Sequence, residues 1–376
     1  MKAMKIMGHL INAKEELYQV LAERLNKAPE GAMINEEFMA ILHNLYNEIE
    51  AEVGSKFPLV PITLSKISTI TEIKEDELRI ILDNMSNKGL VMDIPRKDVM
   101  YYMLAPMVVG FFEYTFMRTG DQVTLKELAE LFEKYFNSDG GFKAIAGIDT
   151  KVMRNLVYEN VIPVAVETEV LDYEKASEII RESGGGSISM CSCRHQASHL
   201  GTACNAPQEV CISLGGAAKW LISKGMGKPA TVEELLKVLK QTREIGLVHL
   251  CDNVMNKPTY ICSCCGCCCH ILKGINEKQI FATHPSNFIA SLESEKCVGC
   301  GICADKCQIH AITMTDQGNG VELPFVNNEI CIGCGVCASI CSTGALSMAR
   351  RSVLHVPPKN IPEKLAKMAM EKARSK

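Results

Sequence analysis

Cysteine placement constrains this chain more than any other feature of its sequence. The 376 residues include 19 cysteines, and none of them precedes Cys191. Eleven fall within residues 191–269 and eight within residues 297–341. Many are adjacent, as at Cys264 and Cys265, and neighbouring cysteines form strained disulfides. Thiolates that bind metal are therefore a better explanation than a disulfide framework.

Composition and charge narrow the class of protein further. Hydrophobic residues make up 47% of the chain and charged residues 22%, which is typical of globular domains and not of disorder. The net charge of −4 excludes the broad positive surface of a general nucleic-acid binder. We see no pattern of a cleaved secretory signal, and the most membrane-like run, residues 99–112, is too short to span a bilayer. We therefore predict a soluble, cytoplasmic protein.

The last eight cysteines form an internal repeat. The first run is Cys297-x2-Cys300-x2-Cys303-x3-Cys307, and the second run is Cys331, Cys334, Cys337 and Cys341. Each cysteine of the second run lies 34 positions after its counterpart, and Gly299 and Gly301 are repeated as Gly333 and Gly335. Three thiolates at three-residue steps can surround one face of a cubic cluster. A zinc-binding repeat is the alternative, although eight cysteines in this register exceed what tetrahedral zinc motifs need.

This repeat resembles the two-cluster bacterial ferredoxin over residues 295–350. The resemblance implies two 4Fe-4S clusters, and in this family the fourth cysteine of each run ligates the other cluster. One cluster is then expected on Cys297, Cys300, Cys303 and Cys341. The second is expected on Cys331, Cys334, Cys337 and Cys307. The family normally has proline after the fourth cysteine, whereas this chain has Gln308 and Ser342.

The central cysteines follow a less common pattern. Four of them could hold one further iron–sulfur cluster: Cys191, Cys193, Cys204 and Cys211. Six more lie within eight residues: Cys262, Cys264, Cys265, Cys267, Cys268 and Cys269. A single cubane cannot use six ligands, so some of these thiols belong to another cluster or are free, redox-active or substrate-facing. We predict one or two further iron–sulfur clusters here, and a buried core position for Cys251.

Three charged or titratable residues beside the central cysteines are candidates for a catalytic role. His195 and His270 each adjoin a cysteine group, and a histidine can ligate iron or deliver a proton. Arg194 could stabilise an anionic cluster or bind an anionic substrate. Hydrogen bonding by the histidines and a surface salt bridge by the arginine are the structural alternatives.

The cysteine-free N-terminal part is predicted to be mainly helical. Residues 62–70 and 74–87 read as two helices joined by a turn, and residues 91–94 and 99–104 read as a β-hairpin. This order resembles a winged-helix domain, which implies either DNA binding or a packing module. The second helix begins with three acidic residues, which would face the phosphates of a DNA groove. We therefore expect no DNA partner.

These observations predict an α+β multidomain protein. Its expected parts are a helical region with the winged-helix-like module (1–118), a helical connector (119–185), a central cysteine-rich metal domain (186–275), a ferredoxin-like dicluster domain (276–355) and a basic, solvated tail (356–376). The order of parts resembles larger cysteine-rich iron–sulfur proteins of strict anaerobes. That resemblance implies cofactors but no substrate.

Three functions are compatible with these parts. The first is an oxidoreductase, or a component of one, that passes low-potential electrons from two 4Fe-4S clusters to a central cysteine-ligated centre. The second is an electron carrier without its own substrate. The third is a redox-responsive regulator that uses the winged-helix-like module. The density of central cysteines favours the first two, and both require a redox partner protein.

Overall fold

The N-terminal part of the computed structural model is built from helices and one small sheet. The structure describes residues 2–119, 125–146, 148–164, 170–318 and 322–374. The first helices are α1 (Lys2–Asn26), α2 (Glu36–Leu45) and α3 (Glu48–Ser55). Asn35 and Asn47 begin α2 and α3 because their side chains accept hydrogen bonds from first-turn amides. The buried faces of these helices, with Phe38 and Leu42 fully enclosed, form part of the largest core cluster.

A helix pair and a three-stranded antiparallel sheet follow. The elements are β1 (Ile62–Thr63), α4 (Leu64–Thr71), α5 (Glu75–Asn87), β2 (Val91–Arg96) and β3 (Val99–Leu104). The sheet order is β1-β3-β2, and β2 and β3 form the predicted hairpin. Helices α6 (Phe112–Met117), α7 (Leu125–Asn137) and α8 (Gly141–Ala146) then lead to the central part.

A seven-stranded sheet organises the central part. Its strands are β4 (Met153–Leu156), β5 (Gly186–Met190), β6 (Glu209–Leu214), β7 (Lys228–Ala230), β8 (Val248–Asp252), β9 (Tyr260–Cys264) and β10 (Thr283–His284). Their order is β10-β4-β8-β9-β6-β5-β7, and only the β10–β4 pairing is parallel. The sheet extends beyond residues 186–275, because β4 and β10 come from the segments on either side. Long-range strand pairing of this kind leaves no local signal in the sequence.

The two faces of this sheet have different chemistry. Helices α9 (Ala176–Ser183) and α12 (Val232–Glu244) cover one face, where Ile212, Ile261 and the buried Cys251 pack against them. Thr231 and Glu234 form the capping box that begins α12. The opposite face carries Cys211, Cys262 and Cys264, because side chains alternate along a strand. Helices α10 (Ser192–His199), α11 (Gly215–Ser223) and α13 (His270–Lys278) complete this part.

The dicluster region consists of two antiparallel strand pairs and two short helices. Strand β11 (Phe288–Leu292) pairs with β14 (Leu346–Arg350), and β12 (Ile312–Asp316) pairs with β13 (Glu322–Val326). Helices α14 (Ile302–Asp305) and α15 (Val336–Ser339) begin one residue after Gly301 and Gly335, both of which have a positive φ. Glycine suits these two positions because other residues are strained there.

The C-terminal helix α16 (Ile361–Arg374) differs from the solvated tail expected from its basic composition. Lys364 forms a buried ion pair with Asp252, with 2.7 Å between Nζ and Oδ1. Glu371 accepts two hydrogen bonds from Thr150, and Lys372 donates to the carbonyl of Ala28. Charged side chains of this helix, from which a solvated tail was expected, therefore attach it to the N-terminal and central parts.

No helix in the described residues has both the length and the apolar character needed to cross a membrane.

Candidate metal centres

The fold separates the ten candidate central cysteines into two groups. The four-cysteine group consists of Cys204, Cys265, Cys267 and Cys268. The six-cysteine group consists of Cys191, Cys193, Cys211, Cys262, Cys264 and Cys269. The expected set of Cys191, Cys193, Cys204 and Cys211 is therefore divided. Cys204 lies in the loop after α10, which reaches the turn between β9 and α13, whereas the other three lie beside the sheet face.

The four-cysteine group is compact. Its four sulfur atoms lie within 4.8 Å of one another. The Sγ atom of Cys204 is 3.6 Å from that of Cys265 and 4.0 Å from that of Cys268, and the Sγ atoms of Cys267 and Cys268 are 3.7 Å apart. Cys265 and Cys268 are buried, whereas Cys267 is exposed. These separations suit thiolates that share one metal centre.

The six-cysteine group occupies the thiol-bearing face of the central sheet. Interaction with Cys211 and Cys264 lowers the pKa of the Cys262 thiol to about 5. Interaction with Cys193 and Cys264 lowers the pKa of the Cys269 thiol. The thiols therefore form a continuous set rather than isolated core residues. Cys191, which precedes α10, completes it, because its pKa is raised to about 12 by burial and also by the charges of Cys262 and Cys269.

Unpartnered hydroxyl groups share this face of the sheet. Ser189 pairs with Cys211 across β5 and β6, so both side chains project to the same side. Tyr260 lies two residues before Cys262 on β9 and therefore also projects there. The hydroxyls of Ser187, Ser189 and Tyr260 are buried and have no hydrogen-bond partner in the part of the chain that the structure describes. Buried polar groups normally have partners, so these three hydroxyls leave hydrogen-bonding capacity free on this face.

A carboxyl group lies beside the same thiols. Glu113 is half-buried on α6 and accepts a 2.7 Å hydrogen bond from the amide of Gly110. Burial and, to a smaller extent, the charges of Cys262 and Cys269 together raise the pKa of Glu113 to about 8. Sequence reasoning missed this residue, because an isolated glutamate 78 positions before the first cysteine gives no signal in the chain.

Arg194 lies between the two groups and is fully buried. Its Nη1 donates to the carbonyl of Pro207 at 2.6 Å, and its Nη2 lies 3.5 Å from the Sγ of Cys265. Burial lowers the pKa of Arg194, but the thiolates of Cys191 and Cys265 outweigh it and raise the pKa above its usual value. The guanidinium is therefore placed to stabilise negative charge in both groups, and the surface salt bridge considered from the sequence is not formed.

The two candidate histidines make different contacts. His270 is buried between the rings of Phe112 and Phe136, and its Nε2 lies 2.6 Å from the side-chain oxygen of Gln196. Burial lowers its pKa to about 4, so the ring is neutral at pH 7. The Nδ1 of His195 lies 2.7 Å from the carbonyl oxygen of Phe116. These contacts hold both rings in place beside the cysteine-bearing helices.

The eight C-terminal cysteines also divide into two sets. One pocket is lined by Cys297, Cys300, Cys303 and Cys341. The other set is Cys307, Cys331, Cys334 and Cys337. Burial and, to a smaller extent, the charges of Cys307 and Cys331 together raise the pKa of Cys334 to about 12. Each set therefore takes its fourth cysteine from the other half of the repeat.

The surroundings of these cysteines suit bound clusters. A Cβ atom at Gly333 would lie 2.1 Å from the carbonyl oxygen of Phe288, so the loop needs glycine to approach its neighbouring strand. The amide of Ala311 donates to the Sγ of Cys307 at 3.2 Å, the kind of N–H···S contact that tunes iron–sulfur clusters. The donor set and the glycine-dependent loops thus fit two 4Fe-4S clusters.

Gln308 connects this region to the central cysteines. Its side-chain oxygen accepts a 2.8 Å hydrogen bond from the amide of Gly266, and its Nε2 donates to the carbonyl of Gly246 at 3.1 Å. Its own carbonyl accepts from the Nδ2 of Asn276 at 3.0 Å. Gly266 lies between Cys265 and Cys267 of the four-cysteine group, within the cysteine-rich residues 262–269. Gln308, which stands where the ferredoxin family normally has proline, therefore forms a polar bridge between the two regions. In the sequence this residue is only a departure from the family pattern.

Comparison with known proteins adds one match. The family model of the 4Fe-4S dicluster domain matches residues 296–345. Neither the curated proteins nor the solved structures include a match to this chain. The chain is thus a mixed α and β protein with a C-terminal ferredoxin-type domain, and this domain supports a role in iron–sulfur electron transfer.

Proposed function

We propose that this protein is an oxidoreductase, or a component of one, that passes low-potential electrons from its dicluster domain to a central metal centre at the six-cysteine group. The dicluster match over residues 296–345 supports this domain as the source of the electrons. The unpartnered hydroxyls of Ser187, Ser189 and Tyr260 support a bound group on the thiol-bearing face. When bound, a 4Fe-4S cluster accepts and releases one electron, and its potential depends on burial and hydrogen bonds to sulfur.

The Gln308 bridge is the observation that carries this proposal. It places the backbone that follows Cys307 directly against Gly266. Gly266 is flanked by Cys265 and Cys267 of the four-cysteine group, and Cys264 and Cys269 of the six-cysteine group lie two residues before it and three residues after it. A short, hydrogen-bonded connection keeps donor and acceptor centres at a constant separation. A carrier that only exchanged electrons with partners would not need to hold its dicluster domain against a second set of thiols.

The exposure of the dicluster cysteines supports a direction for electron flow. Cys300 is exposed, and the side chains of Val298 and Ile302 beside it line the same pocket and are themselves exposed. Cys337 in the other set is buried, and the carbonyl of Cys334 accepts a hydrogen bond from Tyr158 in the central part. A redox partner protein would therefore approach the Cys300 side, and electrons would continue inward through the set that contains Cys337.

The chain's own groups have separate roles in this scheme. Arg194 stabilises the negative charge of the thiolates in both central groups, as its 3.5 Å contact with Cys265 supports. His270 and His195 position the helices that carry Cys269 and Cys193, through their contacts with Gln196 and the Phe116 carbonyl. The cysteines of the two central groups and of the two C-terminal sets are the proposed metal ligands.

The winged-helix-like module has a packing role in this proposal. Asp93 on β2 accepts a 2.7 Å hydrogen bond from the Nε1 of Trp220 and lies 2.9 Å from the Nζ of Lys224. Both partners belong to α11 and the residue after it, beside the thiol-bearing face. The exposed first turn of α5 carries Glu75 and Asp76, which would repel DNA phosphates. These contacts favour electron transfer over DNA-linked regulation.

Anaerobic metal analysis followed by rapid mixing tests the proposal. The full chain should contain more than the roughly eight irons of two 4Fe-4S clusters. Reduced bacterial ferredoxin is then mixed with the protein, and the reduction of the central centre is followed by freeze-quench electron paramagnetic resonance. In the double variant Cys300→Ser with Cys334→Ser, central iron should remain but its reduction should slow at least tenfold. The buried Cys251→Ser variant is the control and should behave as wild type.

An iron content of about eight, or an unchanged rate in the double variant, would contradict the proposal. In the first case the protein would be a simple carrier. In the second, electrons would reach the central centre without passing through the dicluster domain.

A further inference from the structure

The sulfur separations in the four-cysteine group distinguish a single ion from a cluster. The Sγ atoms of three pairs, Cys204–Cys265, Cys267–Cys268 and Cys204–Cys268, are 3.6, 3.7 and 4.0 Å apart. A metal–sulfur bond of about 2.3 Å gives a tetrahedron whose edges are about 3.8 Å. In a cubane each thiolate binds a different iron atom, so the four thiolates are spread more widely. The observed distances match four ligands on one ion.

The same chain offers an internal comparison. The eight cysteines of the dicluster domain lie in sets that suit 4Fe-4S clusters. Across the described ranges, however, only the four-cysteine group brings three or more potential ligand atoms within 4.8 Å of one another. The dicluster sets and the six-cysteine group are both more open. Two different spacings therefore coexist in this protein, and the compact one belongs to Cys204, Cys265, Cys267 and Cys268.

The surroundings of the group suit a negatively charged tetrathiolate site. Four thiolates and one divalent ion carry a net charge of −2, and the buried guanidinium of Arg194 lies 3.5 Å from the Sγ of Cys265. The Nε of Arg194 is buried and finds no hydrogen-bond partner among the described residues. Ala197 and Leu247 pack around Cys265 and Cys268, which excludes water from that side. Cys267 is exposed, so the ion can enter from solvent at this residue.

We propose that the four-cysteine group binds a single tetrahedral ion, zinc or iron, and does not hold an iron–sulfur cluster. Tetrahedral sites with four sulfur ligands select these metals. The ion would join the loop that contains Cys204 to the turn between β9 and α13. This inference is independent of the electron-transfer proposal, because it depends only on the geometry of these four thiols.

Metal and sulfide analysis of matched variants tests the inference. The full chain is purified anaerobically as wild type, Cys204→Ser, Cys267→Ser and, as a control, Cys211→Ser from the six-cysteine group. The first two variants should lose about one zinc or iron ion per chain and keep their acid-labile sulfide. The control should keep the ion. Loss of zinc and loss of iron without sulfide both support the inference and distinguish the two metals.

Loss of about four irons with their sulfide from Cys204→Ser would overturn the inference, because that is the content of a cubane. Cobalt substitution of the wild-type chain tests the site without depending on the folding of any variant. The wild-type chain produced with Co²⁺ should show the visible absorption bands of tetrahedral cobalt thiolate, and Cys211→Ser should retain them. Their absence from the folded wild-type protein would also refute a single-ion site. Failure of electron transfer in the earlier experiment would leave these readouts unchanged.

Discussion

Replacement of Gln308 by alanine tests the connection between the dicluster domain and the central cysteines. The side chain makes two hydrogen bonds, from the Gly266 amide at 2.8 Å and to the Gly246 carbonyl at 3.1 Å. A hydrogen bond contributes about 0.5–1.5 kcal/mol net, so the substitution should cost about 1–3 kcal/mol. The bond from Asn276 to the backbone carbonyl of Gln308 does not depend on the side chain. The connection should therefore loosen and not break.

The matched control comes from the internal repeat. Ser342 occupies the position 34 residues later, after Cys341, and is exposed. Ser342→Ala should change stability by less than about 0.5 kcal/mol. Anaerobic denaturant unfolding followed by cluster absorbance gives the comparison, and rapid mixing with reduced ferredoxin gives the rate at which the central centre is reduced. Both proteins should keep wild-type iron, while the rate falls only in Gln308→Ala.

Equal stability and equal rates in the two variants would refute this reasoning. The hydrogen bonds of Gln308 would then be incidental to both folding and electron transfer. Loss of iron from Gln308→Ala would mean instead that the side chain supports cluster assembly. That outcome would also contradict the expected result.

Two further predictions concern buried ionisable side chains. Lys364→Met should destabilise the protein by about 3–5 kcal/mol, because it leaves the Asp252 carboxylate buried without its cation, and thermal unfolding measures the loss. Burial, together with the adjacent His284 ring, lowers the pKa of His355 to about 3. In the unfolded chain this histidine binds a proton below about pH 6.5, whereas in the folded protein it does so only near pH 3. The free energy of unfolding should therefore be constant above about pH 6.5 as far as His355 is concerned, and should fall as the pH is lowered towards 3. The expected decrease at pH 5 is about 1–2 kcal/mol. His355→Gln should show a smaller decline in unfolding free energy over the same pH range.

A loss of less than about 1 kcal/mol in Lys364→Met would indicate that water reaches Asp252 after the substitution. Identical pH profiles for wild type and His355→Gln would show that other groups cause the decline. Neither result would bear on the metal centres.

Much of the C-terminal domain was predictable from the sequence. Cluster ligation needs thiolates at short, regular spacing and glycines at positive φ, and both requirements act on neighbouring residues. The repeat from Cys297 to Cys341 therefore predicted a dicluster domain, which the family match confirms over residues 296–345. The hairpin of β2 and β3 and the capping box of Thr231 were predictable for the same reason, since turns and caps depend on local chemistry.

The partition of the central cysteines was not predictable from spacing. Cys204 and Cys211 are close in sequence, yet one approaches Cys265 and the other lies across β6 and β9 from Cys262. Cys264 and Cys265 are adjacent, yet they belong to different groups because successive residues at the end of a strand project in different directions. Which thiols meet is decided by sheet register and by the loop after α10.

The sequence by itself determined the metal-binding character of this protein, the dicluster domain and the separation of a cysteine-free N-terminal part, because each depends on residue type and local spacing. Only the tertiary structure decided that Gln308 bridges two regions, that Arg194 lies between two thiol groups, and that the basic tail is attached by Lys364. These contacts join residues far apart in the chain. Their formation depends on how strands pair and helices pack, and a pattern along the sequence does not encode that arrangement locally.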